Sequence, residues 1–213
     1  MTKLLRLLAI TILLGLIMPP AGQGADIGQI LSTLKQGGHV IVFRHVETDE
    51  SQKDVYPFKF EDMAAQRQLS EKGRETARRI GSAMKQLGVP IGETFTSKLN
   101  RAVETGKLIA GHDVIPVNEL TDSGAGSATA MARPGGGGNA ALGRALRDLT
   151  NKAPILGTNT IIVTHKTNIG DAFGKDWGDV KEGEAAVFKP ATSGASTLVA
   201  RIQASEWINQ ARK

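Results

Sequence analysis

The chain has 213 residues, enough for one domain with a substantial core, and its 40% apolar and 22% charged content is typical of a soluble globular protein. It contains no cysteine, which excludes disulfides, a thiolate nucleophile and cysteine-based metal sites. Aromatic residues make up only 4%, and the net charge of +5 is modest, so we expect no nucleic-acid partner.

The N-terminus has the layout of a secretory signal peptide. Lys3 and Arg6 precede an uncharged stretch, Leu7–Met18, which prolines and small residues follow. That stretch is shorter than the roughly 20 residues of a spanning helix, which favours cleavage over an uncleaved membrane anchor. We therefore predict cleavage after Gly24, a single mature domain over residues 25–213, and a periplasmic or secreted protein without a stable membrane anchor.

Helices and strands alternate along the rest of the chain. The clearest helix has Ser70 as its N-cap and Gly88 as its stop. The alternation predicts a three-layer α/β/α sandwich with a mostly parallel central sheet and a late antiparallel strand. Predicted helices cover 26–35, 69–87, 100–110, 140–149, a short segment from Asn168, and 206–212; predicted strands cover 39–43, 93–97, 114–117, 160–164, 184–188 and 197–202.

Two long loops interrupt this alternation, at residues 47–67 and 120–139. The first is polar and irregular, and the second is rich in Gly, Ala, Ser and Thr, which is typical of a flexible insertion. Long loops in compact domains often carry function, so we expect these two to determine specificity.

Basic side chains follow three of the predicted strands. Arg44 and His45 end the first, Arg101 opens the helix after the second, and His165 ends a later one. Because parallel strands end at one edge of the sheet, these four side chains are expected to converge on one anion. Arginine holds phosphate oxygens in fork geometry, and nearby cations keep an imidazole neutral and able to attack phosphorus. The second histidine would stabilise charge on the phosphoryl oxygens, and water would then hydrolyse the phosphohistidine.

These segments resemble the histidine phosphatase superfamily, also called the phosphoglycerate mutase-like family, and in particular its small exported branch. The resemblance implies that His45 is the nucleophile and that no metal or cofactor is needed. Arg44, Arg101 and His165 would form the phosphate pocket, with Thr48 nearby. The matching segments are Phe43-Arg44-His45, Leu69 to Arg74, Ser97 to Thr105 and Val163-Thr164-His165.

Many family members also use an acidic residue to protonate the leaving group, and the position of Glu119 matches one branch. Asp122, Glu47 and Asp49 compete with it for this role. The chain departs from the family at two positions: Val46 stands where Gly or Ala is usual, and Gly106 where Ala is frequent.

The predicted function is hydrolysis of a small phosphomonoester by an exported enzyme. The alternative is a non-catalytic protein on the same fold that binds a phosphorylated ligand; a mutase is less favoured, because it needs a phosphorylated cofactor that is unusual outside the cytoplasm. His39 and His112 lack partners at metal-ligand spacing and are predicted to be structural or exposed. Gly135–Gly138 lacks the Gly-Lys-Ser/Thr of a phosphate-binding P-loop.

Overall fold

A computed structural model describes residues 27–121 and 140–212 of the chain. In this part the helices are α1 (Ile27–Lys35), α2 (Glu71–Gln86), α3 (Asn100–Ala110), α4 (Ala140–Thr150), α5 (Lys166–Phe173) and α6 (Ala204–Gln210). The strands are β1 (Val40–Arg44), β2 (Ile91–Ser97), β3 (Ile115–Val117), β4 (Asn159–Thr164), β5 (Ala185–Lys189) and β6 (Thr197–Ile202).

The six strands form one sheet in the order β3-β2-β4-β1-β5-β6. Strands β3, β2, β4 and β1 are parallel, and β5 is antiparallel to both β1 and β6. The predicted mostly parallel sheet with a late antiparallel strand is confirmed. The central strands β1 and β4 are buried on both faces, which explains the continuous apolar runs Val40–Phe43 and Ile161–Val163 within them.

Helices cover both faces of the sheet, which confirms the three-layer architecture. On one face, apolar side chains of α1, α2, α3 and α6 pack against the sheet, with Trp207 and Phe43 among the fully buried ones. On the other face, α4 and α5 pack against it through Leu146 and Ile169. Each of these helices buries one apolar stripe against the sheet, as amphipathic helices that cover a sheet do.

The observed elements differ from the predicted ones mainly at their ends. Strand β1 extends one residue further, to Arg44, because Arg44 continues the pairing with Thr164. Three short 3₁₀ helices were not predicted, since three residues are too few to show a period: Met63–Ala65, Asn118–Leu120 and Lys175–Trp177. The signal peptide and most of the predicted 120–139 insertion lie outside the described residues. None of the described helices is long and apolar enough to span a membrane.

A buried carboxylate fixes the turn before β5. Glu184 accepts hydrogen bonds from Arg201, from Gln203 Nε2 (2.7 Å) and from the Lys181 backbone N–H (2.9 Å). Burial raises the pKa of Glu184, but these donors outweigh it and hold the pKa below its usual value. A carboxyl group whose pKa is lower in the folded than in the unfolded protein stabilises the fold above the unfolded pKa, and the stabilisation is lost as the pH falls.

Glu184→Gln is therefore expected to lower the free energy of unfolding at pH 7 by about 2–3 kcal/mol. The difference from the wild type should shrink as the pH falls below about 4.3, where the carboxyl group of the unfolded chain takes up a proton. Urea unfolding at pH 7 and at pH 4 measures both values. Glu50→Gln, at an exposed position, is the matched control. An equal loss at both pH values would contradict the assigned role of the charge.

Candidate active site

The carboxyl ends of three neighbouring parallel strands form the floor of the site. Arg44 at the end of β1 pairs with Thr164 at the end of β4, and Thr96 near the end of β2 pairs with Val163. The backbone N–H of His45 donates to the Thr164 carbonyl (3.1 Å), which extends this pairing beyond β1. The side chains that follow the three strands therefore lie together at one sheet edge, as predicted.

His45 is buried, and its ring orientation is fixed. Its Nδ1 lies 2.8 Å from the carbonyl oxygen of Val46. A carbonyl oxygen only accepts hydrogen bonds, so Nδ1 carries the proton and the lone pair is on Nε2. This tautomer is the one in which Nε2 can act as a nucleophile.

His165 lies beside His45, with ring centroids 5.2 Å apart and a T-shaped arrangement. Its Nε2 is 2.8 Å from Ser97 Oγ, and that oxygen also accepts the Leu99 N–H (3.1 Å). Its buried Nδ1 has no hydrogen-bond partner among the described residues. When the Ser97 hydroxyl donates to Nε2, the ring proton lies on Nδ1, which is then a free donor for an oxygen atom of a ligand.

Arg101 is only 1% exposed, although it lies in the first turn of α3. Its Nη1 donates to Asp54 Oδ1 at 2.9 Å. Asp54 belongs to the 47–67 loop, and the same oxygen accepts the backbone N–H of Arg67 (2.9 Å). The loop therefore folds over the site and places a carboxylate against the arginine predicted to bind phosphate.

Arg44 extends from the end of β1 towards the turn before β5. Its Nη1 donates to the Val180 carbonyl (2.8 Å), and its Nη2 pairs with Glu182 (3.0 Å). Its buried Nε has no partner among the residues that the structure describes. These two bonds fix the Arg44 guanidinium, and its Nε–H group is available to an anion.

Burial and these arginines depress both histidine pKa values. The pKa of His45 is lowered to about 3, mainly by burial and further by the charges of Arg101, Arg44 and Arg67. Burial and Arg101 likewise hold the pKa of His165 well below its ordinary value. Both rings are therefore neutral near pH 7, as the proposed nucleophile requires.

Arg67 is a site residue that the sequence did not indicate. Its backbone N–H donates to the same Asp54 oxygen that accepts from Arg101 (2.9 Å), and its charge lowers the pKa of both histidines. Its buried Nε has no hydrogen-bond partner in the described part of the chain. It stands near the end of a polar loop, about 20 residues from the nearest motif residue before it, so only the folded loop reveals its position.

The segment Leu69 to Arg74 anchors the chain that leaves His45. Ser70 caps α2 by accepting the Gly73 N–H (3.0 Å), and its own N–H donates to the Glu47 carbonyl (3.1 Å). A Cβ at Gly73 would lie 2.1 Å from that carbonyl oxygen, so only glycine fits. Thr48 is buried, and it forms an isolated antiparallel bridge with Leu69. Its proposed contact with phosphate stays a prediction.

The acidic candidates differ in their surroundings. Glu47 is hydrogen-bonded by Lys72 and Ser70, and Asp49 by Ser51; in each case these bonds lower the carboxyl pKa. A lowered pKa is the opposite of what a general acid needs. Glu119 is exposed on the 3₁₀ helix Asn118–Leu120, and Asp122 lies outside the described residues.

The rim that carries Glu119 is tied to the site. Thr164 Oγ1 donates to the Leu120 carbonyl (2.8 Å), and the Lys98 N–H donates to Thr121 Oγ1 (3.1 Å). These bonds hold the end of the 3₁₀ helix against strands β4 and β2. Glu119 therefore lies at the edge of the site, and its role as the acid stays a prediction.

Both departures from the family pattern have a local explanation. The Val46 side chain is fully buried in the core on the α2 face, where its Cγ1 would lie 3.3 Å from a Cβ at Gly183. The branched side chain therefore fills core space. A Cβ at Gly106 would lie 2.7 Å from Thr96 Cγ2, so glycine allows α3 to pack closely on β2.

Within residues 27–121 and 140–212, no three histidine, cysteine or carboxylate side chains are grouped so that they could hold a metal ion. His39 is buried, with Nδ1 3.0 Å from the Gly37 carbonyl, and His112 is exposed. The described histidines outside the pair thus have the structural or exposed positions expected of them.

Comparison with known proteins agrees with this geometry. Residues 40–133 match the family model of the histidine phosphatase superfamily (branch 1). No curated protein sequence matches the chain.

Solved structures share the fold at low sequence identity. The protein histidine phosphatase SixA complexed with tungstate is 17% identical, with a TM-score of 0.55 over 78% of this chain and 97% of that one. A phosphoserine phosphatase of Entamoeba histolytica in complex with phosphoserine is 15% identical, with a TM-score of 0.54 over 79% and 98%. A mycobacterial glucosyl-3-phosphoglycerate phosphatase is 15% identical, with a TM-score of 0.52 over 76% and 97%. At these identities the likeness shows the fold alone.

Proposed function

Because this chain belongs to the histidine phosphatase superfamily, we propose that it is an exported phosphatase that hydrolyses a small phosphomonoester through a phosphohistidine on His45. The enzyme class, a phosphoric monoester hydrolase of the histidine phosphatase type, follows from the family. The observation that supports the proposed chemistry best is the buried His45–His165 pair, in which Val46 holds the His45 proton on Nδ1.

In the first step, Nε2 of His45 attacks phosphorus. The N–P bond forms as the bond from phosphorus to the ester oxygen breaks. The ring becomes positively charged, and the hydrogen bond from Nδ1 to the Val46 carbonyl stabilises that charge. Arg101, Arg44 and Arg67 balance the charge of the phosphoryl oxygens, and His165 Nδ1–H donates to one of them.

The leaving oxygen takes a proton, for which Glu119 is the proposed donor. Water then attacks phosphorus and gives its proton to the Glu119 carboxylate, which restores the acid; the N–P bond breaks, and phosphate leaves with His45 neutral again. Displacement of Asp54 from Arg101 by the substrate phosphate would make Nη1 available to a phosphate oxygen.

Hydrolysis of p-nitrophenyl phosphate by the purified protein in the presence of EDTA tests the function. Turnover that EDTA leaves unchanged is expected, since the proposed groups are all protein side chains. Loss of activity with EDTA would contradict the metal-free mechanism. Calorimetric binding of phosphate without turnover of any ester would support the non-catalytic alternative.

The pH dependence of kcat/KM tests the lowered pKa of His45. Above pH 3 the free enzyme carries a neutral, nucleophilic imidazole, because the pKa of His45 is about 3. After correction for the second ionisation of the substrate, near pH 6, kcat/KM is expected to stay level from pH 7 to about pH 4.5. A decline in the corrected kcat/KM centred at pH 6.5 would mean that the pKa of His45 has its ordinary value.

Export rests on the signal-like layout of residues 1–24. Expression of the full chain in a bacterial host is expected to place the protein in the periplasm or medium, with Ala25 as its first residue. N-terminal sequencing measures this. Lys3→Glu with Arg6→Glu removes the positive region and should retain the protein in the cytoplasm. An uncleaved N-terminus on the exported protein would contradict the cleavage.

A further inference from the structure

The 47–67 loop carries a row of three aromatic side chains: Tyr56, which is exposed, and Phe58 and Phe60, which are half-buried. The ring centroids of Tyr56 and Phe58 are 5.5 Å apart, and those of Phe58 and Phe60 are 6.3 Å apart. Tyr56 is 49% exposed, and neither apolar core includes any of the three. We call these three residues the aromatic row.

The position of the aromatics is unusual for this sequence. The chain has six phenylalanines, two tryptophans and one tyrosine, and three of these nine lie within five residues of one polar loop. Val55 and Met63 of the same loop are also exposed. Apolar side chains that a small core could have used are instead wholly or partly presented to solvent, which is typical of a binding surface.

Hydrogen bonds hold the row in place. The buried amide of Gln66 donates to the carbonyls of Lys59 (3.1 Å) and Phe60 (2.8 Å). Its Oε1 accepts the N–H of Asn100, the first residue of α3 (2.8 Å), and the Val55 N–H donates to the Ala65 carbonyl (2.8 Å). The row is therefore fixed to the helix that carries Arg101.

Both ends of the row are connected through neighbouring residues to the phosphate site. Tyr56 stands two residues after Asp54, which bonds Arg101. Phe60 lies 5.9 Å beneath the Lys98 ammonium, and Lys98 follows Ser97, the partner of His165. A phosphoryl group between the arginines and His45 would thus have its ester group near an apolar, aromatic wall.

We propose that the aromatic row binds the leaving group of the substrate, and that the preferred substrates are aryl phosphomonoesters. An aromatic ring stacks on exposed rings, whereas a small hydroxylated alkyl group gains nothing there. This inference rests on the proposed function, whose substrate class it narrows.

Calorimetric titration with phenylphosphonate and methylphosphonate tests the proposal without turnover. Neither compound carries an ester bond, so intrinsic reactivity has no influence. We expect the wild type to bind phenylphosphonate about tenfold more tightly than methylphosphonate. In Tyr56→Ala and Phe58→Ala this ratio should fall to about two, while methylphosphonate affinity stays the same.

Two further variants separate stacking from damage to the loop. Tyr56→Phe keeps the ring and should keep the preference, and Leu156→Ala, at a position 99% exposed before β4, should change neither affinity. Equal affinity of the wild type for both phosphonates would overturn the proposal, as would an equal loss of both in Tyr56→Ala and Phe58→Ala. Failure of the wild type to hydrolyse any ester is a separate outcome, which would overturn the proposed function.

Discussion

Replacing His45 by alanine is expected to lower kcat/KM by about 10⁴-fold or more. The variant has no nitrogen in the position of Nε2, so the phosphohistidine cannot form. His165 cannot substitute for it, because Ser97 occupies its Nε2. Steady-state kinetics with p-nitrophenyl phosphate measure the loss.

A folded control is needed, because His45 is buried and its loss leaves the Val46 carbonyl without a donor. His45→Asn keeps an N–H donor in that region but has no nucleophilic nitrogen, so it should be as inactive as the alanine variant. His112→Ala removes an exposed histidine and should leave activity unchanged. Activity within tenfold of the wild type in a folded His45→Ala protein would contradict the nucleophile assignment.

Arg101→Ala is expected to lower kcat/KM by about 10²–10³-fold. The buried guanidinium is the strongest single cation at the histidine pair, because its charge is the first after burial to lower both histidine pKa values. Arg101→Lys should recover little of the activity, since an ammonium group lacks the fork that holds two phosphate oxygens.

Arg79→Ala is the matched control, because Arg79 is an exposed arginine on α2. Removal of Arg101 also leaves Asp54 without its ion pair. Thermal unfolding of both variants therefore shows whether a loss of activity comes from weaker phosphate binding or from a less stable fold. Asp54 is partly exposed, so water can solvate its carboxylate in the variant. A stably folded Arg101→Ala protein with wild-type kcat/KM would exclude Arg101 from the site.

Much of the site was predictable, because strand ends have a fixed place in a parallel sheet. The apolar runs Val40–Phe43 and Thr160–Val163 indicated buried strands, and the residues after them had to meet at one edge. Arg101 was expected at the same edge for the same reason, because it follows the end of β2. The predicted α2 was also correct, since Ser70 and Gly88 mark its ends with residues that cap and stop helices.

The contribution of the 47–67 loop could not be predicted, because an irregular segment has no period that relates its residues to the sheet. Asp54 and Arg67 reach the site only through the way the loop folds back onto α3. The packing of the aromatic row has the same origin. Its three residues lie within five positions of a polar segment, and nothing in the sequence shows which element they face.

Val46 shows a different limit of sequence reasoning. Its branched side chain stands where the family usually has Gly or Ala, and it packs into the core on the α2 face. The direction of a side chain just beyond a strand depends on the turn that follows. Here the Glu47 carbonyl oxygen accepts the Ser70 N–H, and it lies so close to Gly73 that no side chain fits between them. These contacts set the path of that turn.

Direct detection of the phosphoenzyme tests the central claim. Rapid quenching of the enzyme with a ³²P-labelled phosphomonoester should trap a phosphoryl group that is labile in acid and stable in alkali, and peptide mapping should place it on His45. The His45→Asn variant should trap none. A label on any other residue, or turnover by the wild type without a trapped phosphoryl group at millisecond sampling, would contradict the account.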